Sequence, residues 1–258
     1  MKLPGTSLLL ASALLLSATS AGAQTTFRLG VRGGASRALT TQSAAGNYTE
    51  SVGSYASTFS ADKSAIYSWQ AGLAFEASFG KISLQPALVF TQKGETAHII
   101  ADGQSSAYYS FGYTEVTSTN RYNWLEMPLN VVYTQHGDHG FQLFAGPYVA
   151  LAVGGHRTGT LYNNSNGVRG PATYPIDERI TYGSETNNRR LDAGVNFGIG
   201  YRQGPMQLQL GYSLGLRNLH QANASPVYFD NLTPTHDFTA DAAYNRVAQL
   251  TGTYFFSL

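Results

Sequence analysis

The sequence predicts an all-β fold, a transmembrane antiparallel up-and-down β-barrel of about eight strands behind a signal peptide. Three observations predict it. Apolar residues alternate with small or polar ones over long stretches. The connections between these stretches are alternately short and long. Beyond the leader, no run of about 20 apolar residues could form a membrane-crossing helix.

The leader comes first. Lys2 supplies a short positive region, Leu8 to Leu16 (LLLASALLL) an apolar core, and Ala21-Gly22-Ala23 a small-residue cleavage site. This predicts a signal peptide over 1–23 and a single barrel domain over 24–258, because the apolar run is too short to span. There is no cysteine, so the exported fold must be held by hydrogen bonds and packing, without disulfides.

Eight strands are predicted at 26–37, 66–79, 82–93, 121–134, 141–154, 190–202, 206–218 and 245–257. The second shows the pattern most clearly. Tyr67, Trp69, Ala71, Leu73, Phe75, Ala77 and Phe79 fall on one face, and Ser68, Gln70, Gly72, Ala74, Glu76 and Ser78 on the other. Side chains alternate across a strand, so the two faces meet different solvents. The same division recurs from Leu191 to Tyr201 and from Met206 to Leu216. Gly80-Lys81, Gln135 to Gly140 and Gln203-Gly204-Pro205 make short turns. The segments 38–65, 94–120, 155–189 and 219–244 are predicted as long loops, with part of 107–120 favouring strand. Short turns at one end and long loops at the other are the pattern of outer-membrane barrels.

A soluble barrel that buries its apolar face is the competing reading. Side-chain volume decides against it. The polar faces are crowded with Gly, Ala and Ser, which fit the narrow interior of an eight-stranded barrel, while large residues suit a lipid face. Leu73→Arg or Phe197→Arg should therefore impair insertion, and Gly72→Ser should be milder.

Charged residues make up 12% of the chain and the net charge is +1, which leaves no basic field for nucleic acid. The inward charges are expected to plug the barrel. Height counting places Arg28 and Glu76 at one level near the periplasmic end, and Arg32 and Glu126 at intermediate height near Tyr148. It sets Asp192 opposite Arg217 near the outer end.

Nothing reads as an enzyme, and no cofactor is expected. His136, Asp138 and His139 share a turn but are better read as solvated than as metal ligands. His98, His156, His220 and His236 fall in or beside the long loops, without a local nucleophile motif. Gly30, Gly33 and Gly34 lie on a strand with no following helix, so they form no phosphate loop. Pro86, Pro128 and Pro147 lie inside strands, where each removes a ladder donor and predicts a bulge or a local break in pairing. Loop tyrosines such as Tyr113, Tyr162 and Tyr174 offer amphipathic contact area for anchoring or for a partner.

Four segments carry a resemblance: Leu84-Gln85-Pro86-Ala87-Leu88 with Lys93-Gly94; Trp124-Leu125-Glu126-Met127-Pro128-Leu129; Phe144-Ala145-Gly146-Pro147-Tyr148; and Asn245-Arg246-Val247 with Tyr254-Phe255-Phe256. The chain resembles the PorT-like outer-membrane β-barrel ("porin family") proteins of Bacteroidota, departing from them in ending on Ser257-Leu258 instead of Phe. The resemblance implies an outer-membrane location and contact with outer-membrane lipid and the barrel-assembly machinery. It also implies an extracellular or secretion-system protein as partner. The expected role is structural, assembly-related or surface-binding, in a monomer. A narrow pore for ions or small solutes and a lipid-modifying enzyme are the alternatives.

Overall fold

A computed structural model describes residues 25–42, 46–52, 55–105, 110–165, 172–183, 188–220 and 242–257. The expected signal peptide and His236 lie outside these residues. The described residues form strands β1 (Thr26–Gln42), β2 (Gly46–Val52), β3 (Tyr55–Phe79), β4 (Ile82–Ser105) and β5 (Ser110–Thr134). They continue as β6 (His139–Ser165), β7 (Ala172–Arg179), β8 (Leu191–Gln203), β9 (Met206–Gly215) and β10 (Ala243–Ser257).

Eight of these close a ring in the order β1-β10-β9-β8-β6-β5-β4-β3, with β3 returning to β1. Every pairing is antiparallel between neighbours, so the barrel is up-and-down. The closing seam joins the first and last strands from Arg28↔Ser257 to Gln42↔Ala243. Strands β2 and β7 stay outside the ring, flanking β3 and β6.

Alternation decides which way each strand faces. On β1, Arg32, Ser36, Ala38 and Thr40 are buried, while Phe27, Leu29 and Val31 are exposed. On β9, Gln207, Gln209 and Ser213 are buried and Met206, Leu208 and Leu210 exposed. Polar groups inside and large apolar groups outside are the reverse of a soluble protein, and suit a lipid-facing barrel.

The interior is narrow, and glycine sets its shape. A Cβ on Gly198 would lie 2.7 Å from Phe144 Cζ, and one on Gly211 2.8 Å from the same atom. A Cβ on Gly194 would lie 2.7 Å from Tyr148 Cε1. Glycines on the inner faces of β8 and β9 thus make room for two rings projecting from β6. Gly80 (φ 68°) and Gly204 (φ 57°) turn the chain at β3–β4 and β8–β9 in a conformation that disfavours other residues.

The structure bears out the strand expected within 107–120, which is the start of β5, and corrects the other predicted loops. Most of 38–65, 94–105 and 155–179 is also strand. These segments hydrogen-bond to one another as a wall that rises from β3–β6 beyond the apolar band and is edged by β2 and β7. Thr, Ser and Tyr favour strands, but with water on one or both faces they need no apolar alternation. Register shifts fall where the wall begins, between Ala65 and Gln70 on β3 and at Asn123/Trp124 between β5 and β6. Pro86 and Pro128 break the ladder locally without shifting it. Pairing resumes in the same register from Pro86↔Leu129 to Val89↔Glu126, and from Pro128↔Tyr148 to Val131↔Ala145.

Gly72 is a second correction. A Cβ there would lie 2.1 Å from Leu88 O and 2.7 Å from Val89 Cα, both backbone atoms. Gly72→Ser therefore forces the strands apart and is not a mild change.

Candidate functional site

The lumen gathers the chain's buried chemistry into a lower cluster, a middle section and an upper cluster. The lower one centres on Glu76, whose side chain is wholly buried. Its Oε2 accepts from Arg28 Nη1 at 3.1 Å, and its Oε1 accepts from Arg202 Nη1 at 2.5 Å and Gln85 Nε2 at 3.0 Å. One carboxylate thus bridges two guanidinium groups, each holding the other's charge in place. Arg202 also donates from Nε to Gly204 O and lies over the Phe255 ring, 5.0 Å from its centroid. Gln85 and Gln207 exchange reciprocal amide hydrogen bonds of 3.1 Å across the lumen.

The middle section is polar and sparsely charged. Gln70 Nε2 donates to Gln249 Oε1 at 2.7 Å, and Arg32 Nη2 donates to Thr251 Oγ1 at 3.2 Å. Both amide atoms of Gln209, and Oδ1 of Asn130 and of Asn196, are buried without a protein partner. Buried polar groups of this kind are normally met by internal water.

The upper cluster centres on Lys93. Its Nζ lies 2.6 Å from Glu126 Oε2 and 3.5 Å from Asp192 Oδ2, with all three side chains buried. It also stands over the ring of Tyr148, 4.6 Å from the centroid, and within 5.9 Å of that of Trp124. Asp192 Oδ2 accepts from Tyr148 Oη at 3.1 Å and from Asn245 Nδ2 at 2.8 Å. Above this, Glu95 Oε1 accepts from Asn120 Nδ2 and Tyr122 Oη, with Lys63 at 3.8 Å. Trp124, Tyr148, Ala150, Ala152, Leu219 and Ala243 pack around the outer end, with Tyr122 and Tyr182 against them. Burial, and then the Glu95 carboxylate, raise the Tyr182 phenol well above its ordinary range, so it remains a donor, to Gly154 O at 3.1 Å.

The predicted lumen residues fall into place unevenly. Arg28 and Glu76 meet directly. Arg32 and Glu126 are both luminal, but Glu126 pairs with Lys93 and Arg32 binds Thr251. Asp192 does not meet Arg217, which corrects that pairing. Strand β9 ends at Gly215, the amides of Leu216 and Arg217 both donate to Ala193 O, and the Arg217 side chain is exposed. Sequence reasoning missed Lys93 and Arg202. Both lie on the inward parity of their strands, but each is the last residue of its predicted strand, where a charge reads as solvated.

Among the described residues, the histidines do not gather into one site. His136 and His139 stack at 5.0 Å, and His139 Nδ1 meets the Asp138 carboxylate at 2.7 Å. His98 pairs with Glu115 and His156 with Asp177 on the wall. Among the described residues, no group of three or more His, Asp or Glu side chains is placed to hold a metal ion.

Comparison with known proteins adds a family. The sequence profile of the family described as "Outer membrane protein beta-barrel domain" matches residues 20–221. No curated protein sequence matches. Among solved structures, the chain is similar to the translocator domain of the autotransporter NalP from Neisseria meningitidis. That likeness has 11% identity and a TM-score of 0.20, covering 97% of this chain and 96% of that one. A Pseudomonas aeruginosa FadL homologue matches at 7% identity and a TM-score of 0.21, covering 89% and 90%. The transport unit of the autotransporter AIDA-I from Escherichia coli matches at 10% identity and a TM-score of 0.18, covering 97% of each chain.

Proposed function

The chain belongs to the outer membrane protein beta-barrel domain family, and from that premise we propose that it is a plugged, non-enzymatic barrel serving a structural, assembly or surface-binding role. The observation that carries this reading is the lumen. Two ionic clusters, Arg28–Glu76–Arg202 below and Lys93–Glu126–Asp192 above, occupy it at separate heights. An eight-stranded barrel leaves room for side chains and no more, and buried charges paired in this way are costly to separate.

The wall supports the surface-binding side of the proposal. It lifts Thr96, His98, Glu115, Thr119, Thr158 and Tyr162 beyond the lipid band on an ordered sheet. The PorT-like resemblance, export behind the 1–23 leader, insertion by the barrel-assembly machinery and a monomeric state belong to the same proposal. So does an extracellular or secretion-system partner. Purified protein in planar bilayers tests it. Little or no steady current is expected. Stable, large single-channel currents would overturn the plug and favour the narrow-pore alternative, which the unpartnered Gln209, Asn130 and Asn196 of the middle section would then help to explain.

A further inference from the structure

The outward faces of the ring end differently at their two mouths. At the turn end, the last outward residues include Phe27, Phe79, Tyr133, Phe141, Tyr201 and Phe256. This is an aromatic girdle at a membrane interface. At the loop end, arginines follow the apolar run. Arg37 ends it on β1 and Arg246 on β10, both on the outward face, and on β5 Arg121 stands one outward position beyond Asn123. Arg217 follows β9 and Arg190 precedes β8, both exposed where the chain leaves the sheet at this end. From Phe27 to Arg37, ten steps of about 3.3 Å on a strand tilted by about 40° rise roughly 25 Å, the height of the apolar band of such barrels. The arginines therefore stand at the outer headgroup level.

We propose that these arginines form a collar that binds the phosphate groups of an anionic glycolipid in the outer leaflet. Arg37, Arg190 and Arg217 are exposed, and among the described residues their side chains have neither an ion-pair nor a hydrogen-bond partner. Arg246 is held in place by donating to Gly215 O at 2.7 Å and Asn245 O at 3.2 Å, above the Tyr244 ring at 5.6 Å. The pairings Arg37↔Ala248 and Leu39↔Arg246 make Arg37 and Arg246 diagonal neighbours on one face of the closing seam, at a spacing of ~7–8 Å.

Among the described residues, no carboxylate forms an ion pair with the collar arginines. Asp192, Glu126 and Glu95 point into the lumen, and Glu115 and Asp177 stand further up the wall, each against a histidine. Guanidinium groups match phosphate oxygens in planar, bidentate geometry. The lipid is the source of phosphate because Arg37 and Arg246 are continuous with the lipid-facing surface of the closing seam.

The test uses protein purified from outer membranes, stripped of lipid in zwitterionic detergent and titrated with lipid A carrying both phosphates. The same lipid after enzymatic dephosphorylation is the control. Wild type should bind the phosphorylated form about tenfold more tightly, as summed from several exposed charge contacts, and the preference should shrink at high salt. Arg37→Gln, Arg190→Gln and Arg217→Gln combined should abolish the preference, while the three Lys replacements should keep most of it. Heat-dependent electrophoretic mobility reports whether each variant is folded. If the triple Gln protein is not folded, Arg217→Gln, which lies off the strand, must still lower the preference. Equal affinity for both lipids, or an unchanged preference in folded Gln variants, would overturn the proposal. Displacement of the lipid by millimolar inorganic pyrophosphate would overturn its assignment to lipid.

Discussion

Lys93 Nζ lies 2.6 Å from Glu126 Oε2, and both side chains are buried. Removing one member of such a pair strands the other charge in the lumen, at a cost of about 3–5 kcal/mol. Lys93→Met should therefore lower the unfolding midpoint in urea far more than Lys81→Met, which changes an exposed turn. Lys93→Met combined with Glu126→Gln should recover part of the loss. Equal effects of the two single changes would remove Lys93 from the plug.

Phe144 and Gly211 form a lock of a different kind. The nearest atom to a Cβ on Gly211 is Phe144 Cζ at 2.8 Å, so Gly211→Val places branched carbons where the Phe144 ring lies, an overpacking cost of about 1–3 kcal/mol. Phe144→Ala should relieve that steric conflict and so partly rescue Gly211→Val. The double-mutant cycle should show coupling, whereas Gly252→Val, whose Cβ meets nothing within 4 Å, should show none with Phe144→Ala.

The lipid face gives an insertion test. Leu73→Arg and Phe197→Arg each place a cation on the apolar band, where the cost reaches about 2–4 kcal/mol at the midplane. Both should reduce the folded, heat-modifiable fraction in the membrane. Gly72→Ser should also be harmful, because its Cβ meets the β4 backbone.

The absence of cysteine permits an orientation test. Thr160, exposed on the wall, should label as Thr160→Cys in intact cells with a membrane-impermeant maleimide. Lys81→Cys, in the β3–β4 turn, should label after the outer membrane is permeabilised and not before. The opposite pattern would invert the topology.

Acid should loosen the wall locally. The hydrogen bond from His98, and next that from Tyr113, hold the Glu115 carboxyl below its usual range. A depressed carboxylate pKa contributes stability above the ordinary carboxylate range and loses it as pH falls through the depressed value. Amide protection factors on β4 and β5 near His98 and Glu115, corrected for the intrinsic pH dependence of exchange, should therefore fall at low pH, and Glu115→Gln should flatten that dependence.

The strands of the lipid band were legible because lipid and lumen impose opposite demands on successive residues, as in Tyr67 to Phe79. Apart from the strand expected within 107–120, the wall was not, because residues such as Thr158, Gly159 and Thr160 meet no lipid and leave no apolar period. Parity also misleads at strand ends. It placed Arg217 inside because the alternation of β9 was extended past Gly215, where the chain leaves the sheet. Of the lumen, Arg28 and Glu76 were legible because both lie well within regular strands. The partner of Asp192 was not, because Lys93 reaches it across the barrel, a relation that neighbouring register does not reveal.

The seam between β1 and β10 has a consequence for how the protein comes into being. Arg32–Thr251, Thr40–Asn245 and Gln70–Gln249 each tie an early strand to the last one, and Asn245 also holds Asp192. The luminal network therefore cannot be completed while the chain is still arriving. Until β10 docks, two raw strand edges and a half-solvated set of charges face the membrane together, and a single zippering event removes both. Ring closure and completion of the luminal network are one step, so a chain interrupted before Ala243 would be an open, wet sheet, and not a smaller barrel.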